Sequence, residues 1–191
     1  MGCDIHLYME YKDPTNTAYT SWSNFGRSFY VGREYGLFGY LAGVRGSGPA
    51  VVPARGYPED AGWDTNDDFY YRISDDDGYD GETRYVTLER AKSWGVPILY
   101  DKNGKPDRVQ CPDNHTPSWL TWSEFTSALV LCELQHRNWL NNEDPDSTPA
   151  IKDLYARDLK RFLLRYKAVA ATMETFEKAG YITRIVFWFD N

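Results

Sequence analysis

The two ends of the chain constrain its fold more than anything between them. Gly2 to Lys12 alternates apolar and polar side chains, and Tyr181 to Asp190 does so again. A period of two marks a strand, because successive side chains point to opposite faces of a sheet. On the first segment Cys3, Ile5, Leu7 and Met9 share an apolar face, while Asp4, His6, Tyr8 and Glu10 share the other. On the last, Thr183, Ile185, Phe187 and Phe189 oppose Arg184, Val186, Trp188 and Asp190.

The middle of the chain reads as helices and turns. Asp13 to Asn16 is a turn signal, after which Ala18 to Trp22 reads as a returning strand. Tyr35, Leu37, Phe38, Leu41 and Val44 recur at helical spacing, and Thr87 to Trp94 reads as a second short helix. Asn103-Gly104 between Ile98-Leu99-Tyr100 and Arg108-Val109-Gln110 is a hairpin signal. Thr121 with Glu124 three residues on makes a capping box, which predicts a helix from about Trp122 to about Leu140. Asn141 to Asp146 breaks it, and Thr148-Pro149 supplies a cap and a first-turn proline for the longest helix. Leu154, Leu159, Phe162, Leu163, Tyr166, Val169, Met173 and Phe176 mark its stripe, and Gly180 is its stop. From Arg45 to Gly81 glycines and prolines interrupt every pattern, so 45–81 reads as a long loop or lid insertion. The expectation is one domain over 1–191 of the α+β class. Its mostly antiparallel sheet includes the first and last strands and is covered on one face by two long C-terminal helices.

Composition excludes several roles. With 28 acidic against 21 basic residues and a net charge of −7, the chain lacks the basic surface that bulk nucleic-acid binding requires. No apolar run approaches the ~18–20 residues of a membrane span. Cys3, Cys111 and Cys132 are odd in number and never paired as C-x-x-C, so neither a disulfide framework nor a zinc knuckle is expected, and a reducing cytoplasm is the default. Aromatic residues make up 16% of the chain. Rings serve a core or stack on a planar ligand.

Four groups of residues carry possible chemistry. Asp4, His6 and Glu10 gather two carboxylates and an imidazole on one strand face. If the terminal strands are neighbours, Arg184 and Trp188 lie beside them and complete a polar and aromatic surface suited to a nucleotide-like ligand. Asn114 to Ser118, directly before the capped helix, reads as a loop whose His115, Thr116 and Ser118 add donors to an anion site at the helix start. Arg45 and Arg55 sit beside glycines that let backbone approach an anion. His136 reads as a surface residue of its helix. His6, His115 and Asp4 form an arithmetic set for a metal, but no metal motif supports it, so neither metal nor other cofactor is assigned.

The opening Met-Gly-Cys-Asp-Ile-His, followed by Glu10, resembles a family of uncharacterised bacteriophage and prophage proteins. Tyr35 to Arg45 resembles that family's N-Y-x-L-F-x-x-L-A-x-V-R, Arg55 to Asp60 its R-G-L-P-x-D, and His115 to Thr121 its H-S-H-S-W-L-T. Pro117 stands where the family's second histidine would be. The resemblance implies a phage origin and a set of positions, not a reaction.

The expected function is a binding module for a small anionic or nucleotide-like ligand, with Asp4, His6, Glu10, Arg45, Arg55, His115, Ser118, Arg184 and Trp188 as its contacts. In character it resembles phage proteins that sequester nucleotide-derived host immune signals in the bacterial cytoplasm. The alternative is a hydrolase of a nucleotide or phosphate ester, with His6 and His115 as acid and base or holding a metal with Asp4. Self-association into a homo-oligomer is left open.

Overall fold

A computed structural model describes residues 2–17, 22–46, 48–81, 83–141 and 148–190. In chain order the elements are β1 (Asp4–Lys12), β2 (Ser23–Asn24), α1 (Tyr35–Ala42), α2 (Trp63–Phe69), β3 (Tyr70–Ser74), β4 (Gly78–Tyr79) and β5 (Arg84–Thr87). They continue through α3 (Leu88–Ser93), β6 (Ile98–Tyr100), β7 (Pro106–Gln110), β8 (His115–Thr121), α4 (Trp122–Asn141), α5 (Pro149–Lys178) and β9 (Ile182–Asp190). The α+β class is as expected. Of the returning strand expected over Ala18 to Trp22, all but Trp22 lies outside the described residues, as do residues 142–146 of the expected helix break.

The first and last strands pair antiparallel along their whole length, from Asp4↔Asp190 to Lys12↔Ile182. They form the middle of a four-stranded sheet ordered β2-β1-β9-β8. The apolar face, with Cys3, Leu7, Met9, Ile185, Phe187 and Phe189, packs against Leu37, Phe38 and Leu41 of α1, Phe125 and Leu129 of α4, and Leu163, Tyr166 and Met173 of α5. The capping box forms: Glu124 N donates to Thr121 Oγ1 at 3.4 Å and Thr121 N to Glu124 Oε2 at 2.9 Å. Thr148 caps α5 with its side chain, ahead of Pro149. The buried stripe of α5 begins at Leu159, whereas Ile151, Leu154 and Tyr155 in its first turns are exposed. Among the described residues no helix is long and apolar enough to cross a membrane.

The stretch 45–81 departs from the expected irregular insertion. Its first part, to Gly62, has no helix or strand among its described residues, but its second part folds into α2, β3 and β4. These strands belong to a second sheet ordered β4-β5-β3-β7-β6, in which β3 and β5 run parallel and the other pairs antiparallel. Its small core of Val86, Ala91 and Val109 is closed by α3. The expected hairpin is its β6–β7 edge, where Gly104 takes the left-handed conformation at φ 76° that a tight turn requires. A cluster of Tyr8, Phe69 and Trp188, with Tyr57 and Tyr70 against it, joins the two sheets. The polar face of β1 and β9 is therefore covered over part of its length. His136 is buried against Glu34 rather than displayed on a surface, because α1 packs over that face of α4.

Candidate functional site

Cross-strand register decides which polar residues meet. It places Glu10 opposite Arg184, Tyr8 opposite Val186, His6 opposite Trp188 and Asp4 opposite Asp190. Asp4, His6, Glu10, Arg184 and Trp188 thus share one face, as the sequence suggests, but the two ends of that face differ in kind.

At one end Glu10 and Arg184 are sealed. Arg184 is 4% exposed and Glu10 not at all, and Arg184 Nε donates to Glu10 Oε2 at 2.7 Å. Glu10 Oε1 also accepts from Gly62 N at 2.7 Å and Thr65 Oγ1 at 2.6 Å. Arg184 donates further to Asp60 and lies 4.1 Å from the ring centre of Trp22. Both Glu10 oxygens and all three Arg184 nitrogens are engaged, so the pair clips the start of α2 to the sheet. Neither residue can reach a ligand. Trp188 is also buried, under Phe69 and Tyr57. It acts through its neighbours and not as an open stacking surface.

At the other end His6 is partly open. Its Nδ1 lies 3.2 Å from Asp68 Oδ2 and its Nε2 3.2 Å from Asp190 Oδ2, while its ring stacks on Trp188 at 5.2 Å and 7°. Burial opposes the charged ring, but the two carboxylates prevail and raise its pKa. Asp68 is held low: burial pushes it up, and the His6 hydrogen bond, with Arg84 nearby, more than reverses that. Burial and then Asp68 push the Tyr8 phenol far above its ordinary value. Asp4 is gripped by both nitrogen branches of Arg33, whose hydrogen bonds hold its pKa low. Asp190 Oδ1 accepts from Asp4 N at 3.2 Å, which ties the carboxylate to the strand end. The result is a histidine ring held by a carboxylate at each nitrogen.

The remaining expected contacts lie elsewhere. His115 pairs with Phe189, stacks on it at 5.9 Å and sits 4.0 Å from Cys3 Sγ. Phe189 and Cys3 belong to the helix-covered face, so His6 and His115 are separated by the sheet. They cannot act as an acid–base pair, and Asp4, His6 and His115 cannot share a metal. The physical reason is that 115–121 is a strand, not a loop before a helix. Thr116 takes φ 48° beside a register shift between His115 and Ser118, and Thr121 ends β8 as it caps α4.

Ser118 is buried and accepts Arg55 N at 3.1 Å. The Arg55 guanidinium donates to both oxygens of Glu124 and lies 4.2 Å over the Trp119 ring. That hydrogen bonding holds Glu124 down to about 2, against its burial. These contacts anchor the irregular segment to β8. Arg45, with φ 50°, lies against Tyr35 of α1, also away from His6.

Two clefts flank the His6–Asp68 pair and share Ser28. One, of about 260 Å³, is bounded by Asp4, His6, Tyr30 and Asp190. The other, of about 340 Å³, is lined by Arg27, Trp63, Asp64, Asp67, Asp68, Tyr79 and Arg84 along with Tyr8 and Ser28. Trp63 and Tyr79 are 57% and 66% exposed, which leaves ring surface available. Asp67 accepts Thr83 Oγ1 at 2.9 and 3.1 Å, so its carboxylate is fixed in place.

Sequence reasoning missed this wall because its rings and carboxylates, Trp63, Asp64, Asp67, Asp68 and Tyr79, fall in 45–81, while Arg27 and Arg84 come from outside it. A signal was present. Asp64, Asp67 and Asp68 stand at i, i+3 and i+4, which puts three carboxylates on one face of a helix. Such a wall offers ring faces, two guanidiniums and oriented acceptors within the volume range of small-molecule sites. No protein-family model, curated protein or solved structure matches this chain.

Proposed function

We propose that the chain is a binding protein for a small nucleotide-like ligand, held in the cleft between α2 and the His6 end of β1. Trp63 and Tyr79 stack on its planar part, Arg27 and Arg84 meet a phosphate or similar anion, and the aspartates of α2 accept from hydroxyl or amino groups. Three carboxylates against two guanidiniums favour a ligand with few negative charges over a polyphosphate. The observation that carries binding over hydrolysis is the engagement of both His6 nitrogens by carboxylates. An imidazole held in this way has no free nitrogen with which to pass a proton to a substrate. Together with the resemblance to phage proteins, this supports sequestration of a nucleotide-derived host signal in the bacterial cytoplasm.

The test is mass spectrometry of small molecules that the purified protein retains from a bacterial extract and releases on denaturation. The expected result is an intact nucleotide-like compound. Trp63→Ala should weaken its retention about 5- to 150-fold, the ~1–3 kcal/mol of one base–aromatic stack, with an unchanged melting temperature. Release of a chemically altered product whose formation stops in His6→Ala would overturn this reading.

A further inference from the structure

On the opposite side of the first sheet from the His6 cleft, three side chains of metal-ligand type converge between α1 and α4. We propose that Glu34, Cys132 and His136 form a site for a divalent transition ion of the Zn²⁺ kind.

The placement follows from the helices. Cys132 and His136 are one turn apart on α4, so they share a face. Glu34 is the N-cap of α1, and its Oε1 accepts Gly36 N at 3.2 Å, which fixes the carboxylate toward α4. One ligand atom from each residue lies within 4.8 Å of the others. Tetrahedral bonds of ~2.0–2.3 Å imply ligand atoms ~3.3–3.8 Å apart. His136 Nε2 and Glu34 Oε1 already stand 3.4 Å apart, so two of the three ligand atoms have the spacing of such a site.

Two further observations point to a ligand. His136 is 8% exposed, and its Nε2 is buried and makes no hydrogen bond although Glu34 is near. A buried ring nitrogen without a hydrogen bond is costly, and a metal bond satisfies it. Gly36 keeps the space open, since a Cβ there would lie 2.9 Å from His136 Nε2 and 3.1 Å from Glu34 Oε1.

The donor set selects the ion. One thiolate, one imidazole and one carboxylate suit Zn²⁺ or Co²⁺, whereas Mg²⁺ and Ca²⁺ take oxygen ligands. Burial, then Glu34 and Glu133, push the Cys132 thiol up to about 12, so it is protonated at neutral pH. Binding therefore exchanges the thiol proton for the metal, forming the S–metal bond and releasing H⁺ to solvent.

The experiment is titration of chelator-treated full-length protein with Co²⁺, followed by absorption spectroscopy. One equivalent should produce a thiolate-to-cobalt charge-transfer band, and added Zn²⁺ should abolish it. Cys132→Ser should lose the band while Cys3 and Cys111 remain in place. Gly36→Ala, which keeps all three ligands, should weaken binding at least tenfold without loss of helical circular dichroism. Absence of the band in the unaltered protein overturns the proposal, and so does a band of equal strength in Cys132→Ser. Should Cys132→Ser fail to fold, unaltered affinity in folded Gly36→Ala would overturn it instead.

Discussion

Breaking the Glu10–Arg184 clip tests whether half of the polar face of β1 is structural. Glu10→Gln keeps a carbonyl oxygen for Gly62 N and Thr65 Oγ1 but removes the charge facing Arg184 Nε at 2.7 Å. The guanidinium, 4% exposed, then relies on Asp60 alone for compensation, and Asp60 is 52% exposed. Removing one partner of a buried pair destabilises by ~3–5 kcal/mol, because the other charge stays buried. At ~2–4 °C per kcal/mol for a domain of this length, the melting temperature should fall by about 6–20 °C. Arg184→Met alone should fall within the same range, because it strands the carboxylate. The double variant Glu10→Gln/Arg184→Met buries no net charge and retains both acceptor contacts of residue 10. It should lie within ~2 kcal/mol of the unaltered protein, since neutral replacements of buried pairs are well tolerated. Urea denaturation of the four proteins gives the coupling directly. Additive losses, with the double variant worse than either single one, would refute the reasoning, as would a single variant within ~0.5 kcal/mol of the parent.

Two other perturbations probe the same sheet. His6 has a raised pKa in the folded protein, so its pairing contributes fully below its unfolded value of ~6.5 and is lost as pH rises through the folded value. Asp68 is lowered, so its share is present above ~3.9 and is lost as pH falls through the folded value. Urea unfolding should therefore show the advantage over His6→Gln greatest between about pH 4 and 6.5. A gap that widens toward pH 9 would contradict the assignment. A chain ended at Gly180 lacks β9, whose two neighbours β1 and β8 lose their ladder partners. It should show no cooperative melt by circular dichroism, and a cooperative transition would disprove the central position of β9.

The sequence carried the terminal strands, the β6–β7 hairpin, the capping box at Thr121 and the start of α5, because each is a local pattern with a local cause. Even the adjacency of Asp4, His6 and Glu10 to Arg184 and Trp188 was reachable, since both strands alternate in phase. What hid the second sheet was brevity and solvent: strands of two to five residues with half-exposed faces, one pairing parallel, leave no alternation to read. Asn114 to Ser118 misled for a different reason. The segment stands directly before a capped helix and contains Pro117, which reads as a loop, yet β8 is an edge strand, where proline is tolerated. Asp68, the residue that shapes the candidate site most, was visible in its helical spacing but not in its destination. Only tertiary packing brings α2 to His6.

The pairing of β1 with β9 also sets a timetable. No β9 residue exists until 170 residues after Lys12 have been added, and Ile182 is the first that can join the ladder. At ~5–20 residues per second of synthesis, that interval is about 8–35 s. Throughout it, among the described residues β1 has only the two-residue β2 as a strand neighbour, and the face that will bury Cys3, Leu7 and Met9 lacks its β9 half. The second sheet, built from residues 70–110, and the α4–α5 pair need shorter loops and can form first. The four-stranded sheet thus cannot close around β1 until β9 has been made.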